Sequence, residues 1–171
     1  YNLLTCKLPK GIRLIYHLAA QSDVVPSWND PLHDLDNIRM TARLAHEYPS
    51  ARIIYANSSA SMDKSSPYGF SKWASGEYLK RFHKKTVDCV FPNIFGEGSR
   101  SVVDKFKGKK IVTIYGSGLQ SRDFAHVDDI VEGLLQARDW PYKTVYMGSG
   151  RSITVLELAK GKQVEHEPAK R

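Results

Sequence analysis

An α/β fold built on a parallel sheet is the class this sequence predicts, and three observations predict it. Short apolar runs alternate with longer segments of helical spacing, the order expected of strand–helix–strand units. The runs are rich in Ile, Val and Tyr without strict alternation, as strands covered on both faces are. The chain of 171 residues, with 42% hydrophobic and 25% charged residues, has the composition of a globular domain large enough to bury a core.

Strands are expected at 13–19, 52–56, 87–91, 111–115 and 144–147. A first helix follows Asn29-Asp30-Pro31, a cap and a proline suited to the first turn. Leu35, Ile38, Ala42 and Ala45 recur there at helical spacing, and Pro49 closes the element. A second helix is expected over 67–84, with Trp73, Leu79 and Phe82 as core contacts. A third follows Asp128 through Ile130, Leu134 and Leu135. Thr154 and Glu157 form a capping box, each satisfying a free backbone donor near the other. The basic, glycine-containing stretch 105–110 marks a handover from the sheet domain to a smaller lobe.

Composition narrows the function classes. No apolar stretch approaches the ~20 residues that span a bilayer, and no secretory leader is visible, so no membrane partner is expected. Cys6 and Cys89 are too few for a disulfide framework and lack metal-site spacing; buried free thiols in a reducing cytoplasm, with no bound metal, are the expectation. The net charge of +7 raises nucleic acid as a partner. The basic runs at 80–85 and 105–110 carry no nucleic-acid signature, and solvated helix ends and turns account for them. The chain opens on Tyr1 rather than Met, so its natural start is expected to be absent.

The chemistry begins at Tyr68-Gly69-Phe70-Ser71-Lys72. Positions four apart share a helix face, so the phenol and the ammonium reach one ligand. A neighbouring lysine favours phenolate and lowers the tyrosine pKa, which makes a general base near neutral pH. Upstream, a buried-strand pattern from Arg52 ends in Asn57-Ser58-Ser59-Ala60-Ser61. Hydroxyls at a strand's carboxyl end lie where open parallel sheets bind ligands. Turn chemistry is the competing reading of those serines.

With these segments in order, the chain resembles the extended short-chain dehydrogenase/reductase family, and within it the nucleoside-diphosphate-sugar epimerases. Ile15-Tyr16-His17-Leu18-Ala19-Ala20-Gln21 is similar to the family's strand whose Ala-Ala end lies against the cofactor, and Asn37 matches the asparagine of the helix that follows. Ser59 aligns with the catalytic hydroxyl, and Tyr68 and Lys72 with the catalytic pair. Phe91-Pro92-Asn93-Ile94-Phe95-Gly96 resembles the segment whose asparagine touches the sugar nucleotide. Ile114-Tyr115-Gly116-Ser117-Gly118, followed by Arg122-Asp123-Phe124, resembles the substrate-lobe segment, whose arginine contacts the diphosphate. A salt bridge with Asp123 or Asp128 is the competing role for Arg122.

The resemblance implies a Rossmann-like, doubly wound parallel sheet over residues 1–95, with its first strand–helix–strand unit missing. A small C-terminal substrate-binding lobe over 96–171 would enclose returning sheet elements at about 124–148. It implies NAD as cofactor, held by Asn2, Ala19, Ala20, Gln21, Asn37, Ser58, Tyr68 and Lys72. A nucleoside-diphosphate sugar would be held by Asn93, Tyr115, Gly116 and Arg122, and the assembly would be a homodimer. It further implies that Tyr68, with Ser59, takes the proton of the sugar 4-hydroxyl as hydride passes to the nicotinamide. The 4-keto sugar then turns and takes hydride back on its other face.

Departures from the pattern matter equally. The Gly-rich dinucleotide loop is absent; Gly116-Ser117-Gly118 and Gly148-Ser149-Gly150 read as strand-end turns. The loop after the catalytic serine is short, and Val90 stands where many relatives carry arginine. The family's dehydratases place Asp-Glu directly after the catalytic hydroxyl. Here those positions hold Ala60 and Ser61, which leaves epimerisation at carbon 4 as the implied reaction. Another dehydratase or reductase of the family and a non-catalytic NAD- or sugar-nucleotide-binding protein are the alternatives. The chain's end at Lys170-Arg171 is expected to cut off the last elements of the substrate lobe.

Overall fold

The computed structural model describes residues 2–169; the readings placed on Tyr1, Lys170 and Arg171 lie outside the described residues. In chain order the elements are β1 (Leu14–His17), α1 (Val24–Asn29), α2 (Pro31–Glu47), β2 (Arg52–Ser58), α3 (Ala60–Asp63), α4 (Pro67–Phe82), β3 (Thr86–Phe91), β4 (Asn93–Phe95), α5 (Val102–Phe106), β5 (Ile111–Tyr115), β6 (Ser121–His126), α6 (Val127–Gln136), β7 (Thr144–Tyr146), β8 (Ser152–Thr154), α7 (Val155–Leu158) and β9 (Gln163–Glu167). They group into two units. One takes the chain up to Val90 together with Leu134–Tyr146; the other takes Phe91–Gly133 and the chain from Met147 onward.

The first unit holds a four-stranded sheet in the order β1-β2-β3-β7. The β1–β2 and β3–β7 pairings are parallel, with Ile15 opposite Ile53 and Cys89 opposite Val145. An α/β fold with a parallel sheet is therefore what the chain adopts. Ala45, Ile53, Tyr55 and Leu79 form the apolar cluster under the helices, with Ile15 and Tyr78 against it. Arg52 fastens the returning segment to β2. Its guanidinium donates to the carbonyls of Ala137 and Trp140 and lies 4.6 Å from the centre of the Tyr142 ring.

Both long helices open on a proline, but the Asp30 side chain expected to cap α2 makes no cap hydrogen bond. Asp30 precedes Pro31 at the start of α2, and Ser66 Oγ accepts from the Gly69 N–H at the start of α4. Their buried faces are another matter. On α2 the buried residues are Asp34, Asn37, Thr41, Leu44 and Ala45; on α4 they include Tyr68, Ser71, Lys72, Ser75 and Leu79. Leu79 is in the core as expected, but Trp73 and Phe82 are exposed, and so is Leu35. The apolar spacing of α2 marks its outer side as much as its inner one. Cys89 is buried and Cys6 only half-buried; both are free thiols.

The second unit contains a three-stranded sheet, β4-β6-β8, and a parallel β5–β9 pair. β4 runs parallel to β6, and β8 antiparallel to it. Phe106, Val112, Ile114, Val155 and Ala159 form its core. The capping box of α7 is present, with Thr154 and Glu157 each accepting from the other's backbone N–H. Gly116, Gly118 and Gly150 sit in strand-end turns in the left-handed region. No helix among the described residues is long and apolar enough to cross a membrane.

Candidate active site

Two strand ends and two helix faces of the first unit assemble the candidate site. Past the end of β1, Ala19, Ala20 and Gln21 line a cleft of about 320 Å³ together with Asn2, Leu3, Leu4, His33, Asp36, Asn37 and Met40. Five residues expected to meet a cofactor, Asn2, Ala19, Ala20, Gln21 and Asn37, are thus brought to one cavity. Its volume matches the lower range of ligand pockets.

Asn37 holds this wall in place. Its Oδ1 accepts from the Gln21 N–H at 2.8 Å, and its Nδ2 donates to Gln21 O at 3.1 Å and to Ser71 Oγ at 3.0 Å. Ser71 in turn donates to Tyr68 O at 2.8 Å. One buried amide therefore fixes the loop after β1 to the helix that carries Tyr68, and its hydrogen-bonding groups are spent on the protein chain. On the same α2 face, the Thr41 hydroxyl donates to Asn37 O, and Thr41 Oγ1 lies 2.9 Å from His17 Nε2. Burial first, and the Lys72 charge second, lower the His17 pKa to about 4, so this imidazole is neutral at physiological pH.

Tyr68 occupies the first turn of α4. Its N–H, a donor with no partner inside the helix, is taken by Ser27 Oγ at 2.8 Å. The side chain is buried, and of the groups that act on its pKa Ser58 is the one that opposes the rise. Ser59, the hydroxyl expected beside Tyr68, follows β2 at the N-cap position of α3, where its side chain makes no cap bond.

Lys72 lies one helical turn along. Its Nζ donates to Ala56 O at 2.5 Å and sits 4.4 Å from the centre of the Tyr55 ring. The expectation that Lys72 lowers the Tyr68 pKa is not met. Burial raises it, Ser58 opposes the rise, and Asp34 and Asp23 add to it. Lys72 itself is lowered to about 8 by burial, with Asp88 acting in the opposite direction. Tyr68 is thus held as a neutral phenol in this state of the protein.

The residues expected to meet a substrate lie in the second unit. Asn93 opens β4 opposite Phe124 of β6, and its amide donates to Asp123 O at 3.3 Å. Arg122 is exposed on β6, one residue from Asp123, whose carboxylate accepts from Ser149 Oγ at 2.6 Å and Gly150 N at 3.0 Å. Tyr115 and Gly116 close β5, in the other sheet of this unit, with Gly116 N bonded to Glu167 O. Asn93 and Arg122 therefore share a sheet that Tyr115 and Gly116 do not. No group of three His, Cys, Asp or Glu placed to hold a metal ion is found among the described residues.

Several residues of the site escape a reading of the sequence: Ser27, Asp34, Thr41, Asn57 and Asp88. For two of these a signal exists. Asp34 and Thr41 recur with Asn37 at i, i+3 and i+7, a polar stripe at helical spacing that marks a buried polar face as an apolar stripe marks a core.

Several known proteins are similar to this chain. A putative UDP-glucose 4-epimerase of Methanocaldococcus jannaschii is 28% identical over 87% of this chain and 59% of its own length. The solved structure of MoeE5 in complex with UDP-glucose and NAD superposes with a TM-score of 0.81 at 27% identity, over 99% of this chain and 70% of that one. TunA, an NAD-dependent NDP-hexosamine 5,6-dehydratase, shares the fold with a TM-score of 0.87 at 21% identity, over all of this chain and 69% of its own. The chain spans about 60% of the length of the first curated relatives it matches. The sequence pattern of one family covers residues 5–146, a stretch that includes Tyr68 and Lys72 and the cleft residues from Ala19 to Met40. By that match the chain belongs to the NAD dependent epimerase/dehydratase family.

Proposed function

We propose that the protein is an NAD-dependent epimerase of a nucleoside-diphosphate sugar, acting at carbon 4 through a transient 4-keto sugar. The observation that carries this reading is the placement of buried Tyr68 in the first turn of α4 with Lys72 one helical turn along, and of Ser58 and Ser59 at the end of β2. A phenol, a cation and a hydroxyl together are the constellation for moving a proton to and from a sugar hydroxyl.

The residues of the first cleft fit the cofactor. Its wall combines backbone, small side chains and the Asn37-held Gln21, and its volume suits a nucleoside-sized portion of NAD. Ala19, Ala20, Gln21 and Asn2 would border that portion; Ser58, Tyr68 and Lys72 would face the reacting end. NAD supplies the hydride acceptor and donor that interconverts alcohol and ketone at the sugar carbon. The chain's own part is proton transfer and orientation. Tyr68, once ionised, would take the 4-hydroxyl proton through or alongside Ser59 and become a phenol, and the Lys72 charge would favour the phenolate that must form first. The positive charge is needed because burial, Asp34 and Asp23 oppose ionisation of Tyr68. Asn93, Arg122, Tyr115 and Gly116 would bind the sugar nucleotide, a guanidinium fork being suited to a diphosphate.

The residues after Ser59 favour epimerisation over loss of water. Ala60 and Ser61 carry no carboxyl. The first carboxylate, Asp63, is exposed and accepts from the backbone N–H and hydroxyl of Ser65 at 2.9 and 3.0 Å. A homodimer is part of this proposal, supported by the exposed apolar side chains Leu32 and Leu35 of α2 and Phe70 and Trp73 of α4. A cytoplasmic setting is supported by the two free thiols.

The test is incubation with NAD and a panel of UDP-, dTDP- and GDP-sugars, followed by separation of the products. Interconversion of 4-epimers is expected, with Tyr68→Phe lowering turnover at least ~100-fold while the fold is retained. A dehydrated 4-keto product would replace epimerase by dehydratase. Cofactor binding without turnover of any sugar would leave a binding protein.

A further inference from the structure

The cleft past the end of β1 has three walls. Residues 2–4 form one and residues 19–21 a second, while α2 supplies the third through His33, Asp36, Asn37 and Met40. Asn37 ties the second wall to α2 by its bonds to Gln21. Arg43 ties the first. Its guanidinium donates to two backbone carbonyls, from Nη1 to Leu3 O and from Nη2 to Cys6 O, the latter at 2.8 Å. Positions 33, 36, 40 and 43 recur every three or four residues, so Arg43 continues the stripe of α2 that lines the cleft.

The segment that Arg43 grips is a closed turn. Asn2 O accepts from the Thr5 and Cys6 N–H groups at 3.1 and 2.8 Å, and Asn2 Oδ1 accepts from the Leu4 N–H at 2.8 Å. Those bonds join residues of the turn to one another. The Arg43 bonds join the turn to the helix. A second tie lies farther along the same segment, where the Tyr48 hydroxyl donates to Pro9 O at 2.6 Å. Pro9 is not among the residues that line the cleft, whereas Leu3 is.

We propose that Arg43 is a positioning residue of the cofactor cleft, setting the wall at residues 2–4 against α2 at the spacing that holds NAD. The assignment rests on the reading of this cleft as part of the NAD site. Its physical basis is the shape of the guanidinium. A planar fork presents its donors in a fixed geometry, so it sets the places of two carbonyls at once. An ammonium is a point charge on a flexible stem and does not impose that geometry. Because both acceptors are main-chain oxygens, the bonds act on the path of the wall itself rather than on a side chain that could swing away.

Three substitutions test the assignment. The readouts are NAD affinity by calorimetry and amide exchange at Leu4, Thr5 and Cys6, with thermal melting as the check of fold. Arg43→Met keeps an unbranched apolar stem and removes the fork. NAD should bind about tenfold more weakly, the lower end of what a hydrogen bond to a charged group contributes. The three amides should exchange faster as the turn opens locally. Arg43→Lys should fall between parent and Arg43→Met in affinity. Tyr48→Phe removes the Pro9 tie outside the cleft, and should lower the melting temperature while leaving NAD affinity unchanged. An unchanged affinity in folded Arg43→Met overturns the proposal. So does an equal loss in Tyr48→Phe, which would mark a general loosening of the segment. If Arg43→Met does not fold, Arg43→Lys decides, and parental affinity there overturns the two-carbonyl fork. A parent protein that binds no NAD overturns the cofactor reading instead; exchange at the three amides then tests the clamp by itself, and rates unmoved in Arg43→Met would overturn it.

Discussion

The two units fill their interiors by different means. In the second, the core is aliphatic and aromatic: Phe106, Val112, Ile114, Val155 and Ala159 pack with no polar side chain among them. In the first, the buried faces of α2 and α4 carry Asp34, Asn37, Thr41, Tyr68, Ser71, Lys72 and Ser75. Dispersion and apolar burial hold the one, and neither depends on direction. Directional bonds hold much of the other, where each unmet donor or acceptor would cost about 1–3 kcal/mol. The proposed site lies on the polar side of this divide, where interior volume that could have held aliphatic side chains is given over to hydrogen-bonding and titratable groups.

Perturbing each interior in turn tests that divide. The largest effect is expected in the second unit. Ile114→Ala removes a side chain that is 1% exposed and should cost about 4 kcal/mol of stability in urea unfolding. A loss under about 1 kcal/mol would show a core loose enough to collapse around the cavity.

In the first unit the next largest effect is a pH dependence. The folded His17 pKa, about 4, lies below its unfolded value of 6.5, so the folded state takes up fewer protons. The His17 contribution is complete above pH 6.5 and is lost as pH falls toward 4, a change of about 3 kcal/mol. His17→Gln should flatten the stability profile in that window; an unaltered slope would place the acid sensitivity elsewhere.

Asn37→Ala frees Gln21 and Ser71 together. It should cost about 2 kcal/mol and weaken NAD binding, measured by melting and by calorimetry. If stability falls and NAD affinity does not, the amide serves packing rather than the cleft. The smallest effect is Thr154→Ala, which removes one side of the α7 capping box at about 1 kcal/mol and should leave NAD affinity untouched.

The same contrast explains what the sequence discloses. Long elements with end signals are legible: Asp30-Pro31 opens α2, and the strand expected at 111–115 is β5. The short strands β4 and β8, three residues each, are not, because so few positions cannot show a period. The interior of the first unit misleads in part for a physical reason. Apolar spacing locates a buried face only where burial is apolar, and here Leu35, Trp73 and Phe82 face outward while Asp34, Asn37 and Thr41 face inward. The Tyr68–Lys72 spacing is legible as chemistry, because positions four apart share a helix face. Asp88 gives no signal, because its partner Thr144 is distant in sequence.

Thr41 has one hydroxyl hydrogen, and the Asn37 carbonyl receives it. The bond to His17 Nε2 must then be donated by the imidazole, which confines that ring to a single tautomer and leaves Nδ1 bare inside the protein. Such a nitrogen is pyridine-like and resonates far downfield of a protonated one in a ¹⁵N spectrum. The molecule thereby carries its own isotopic reporter beside Lys72, readable without any label attached to the surface.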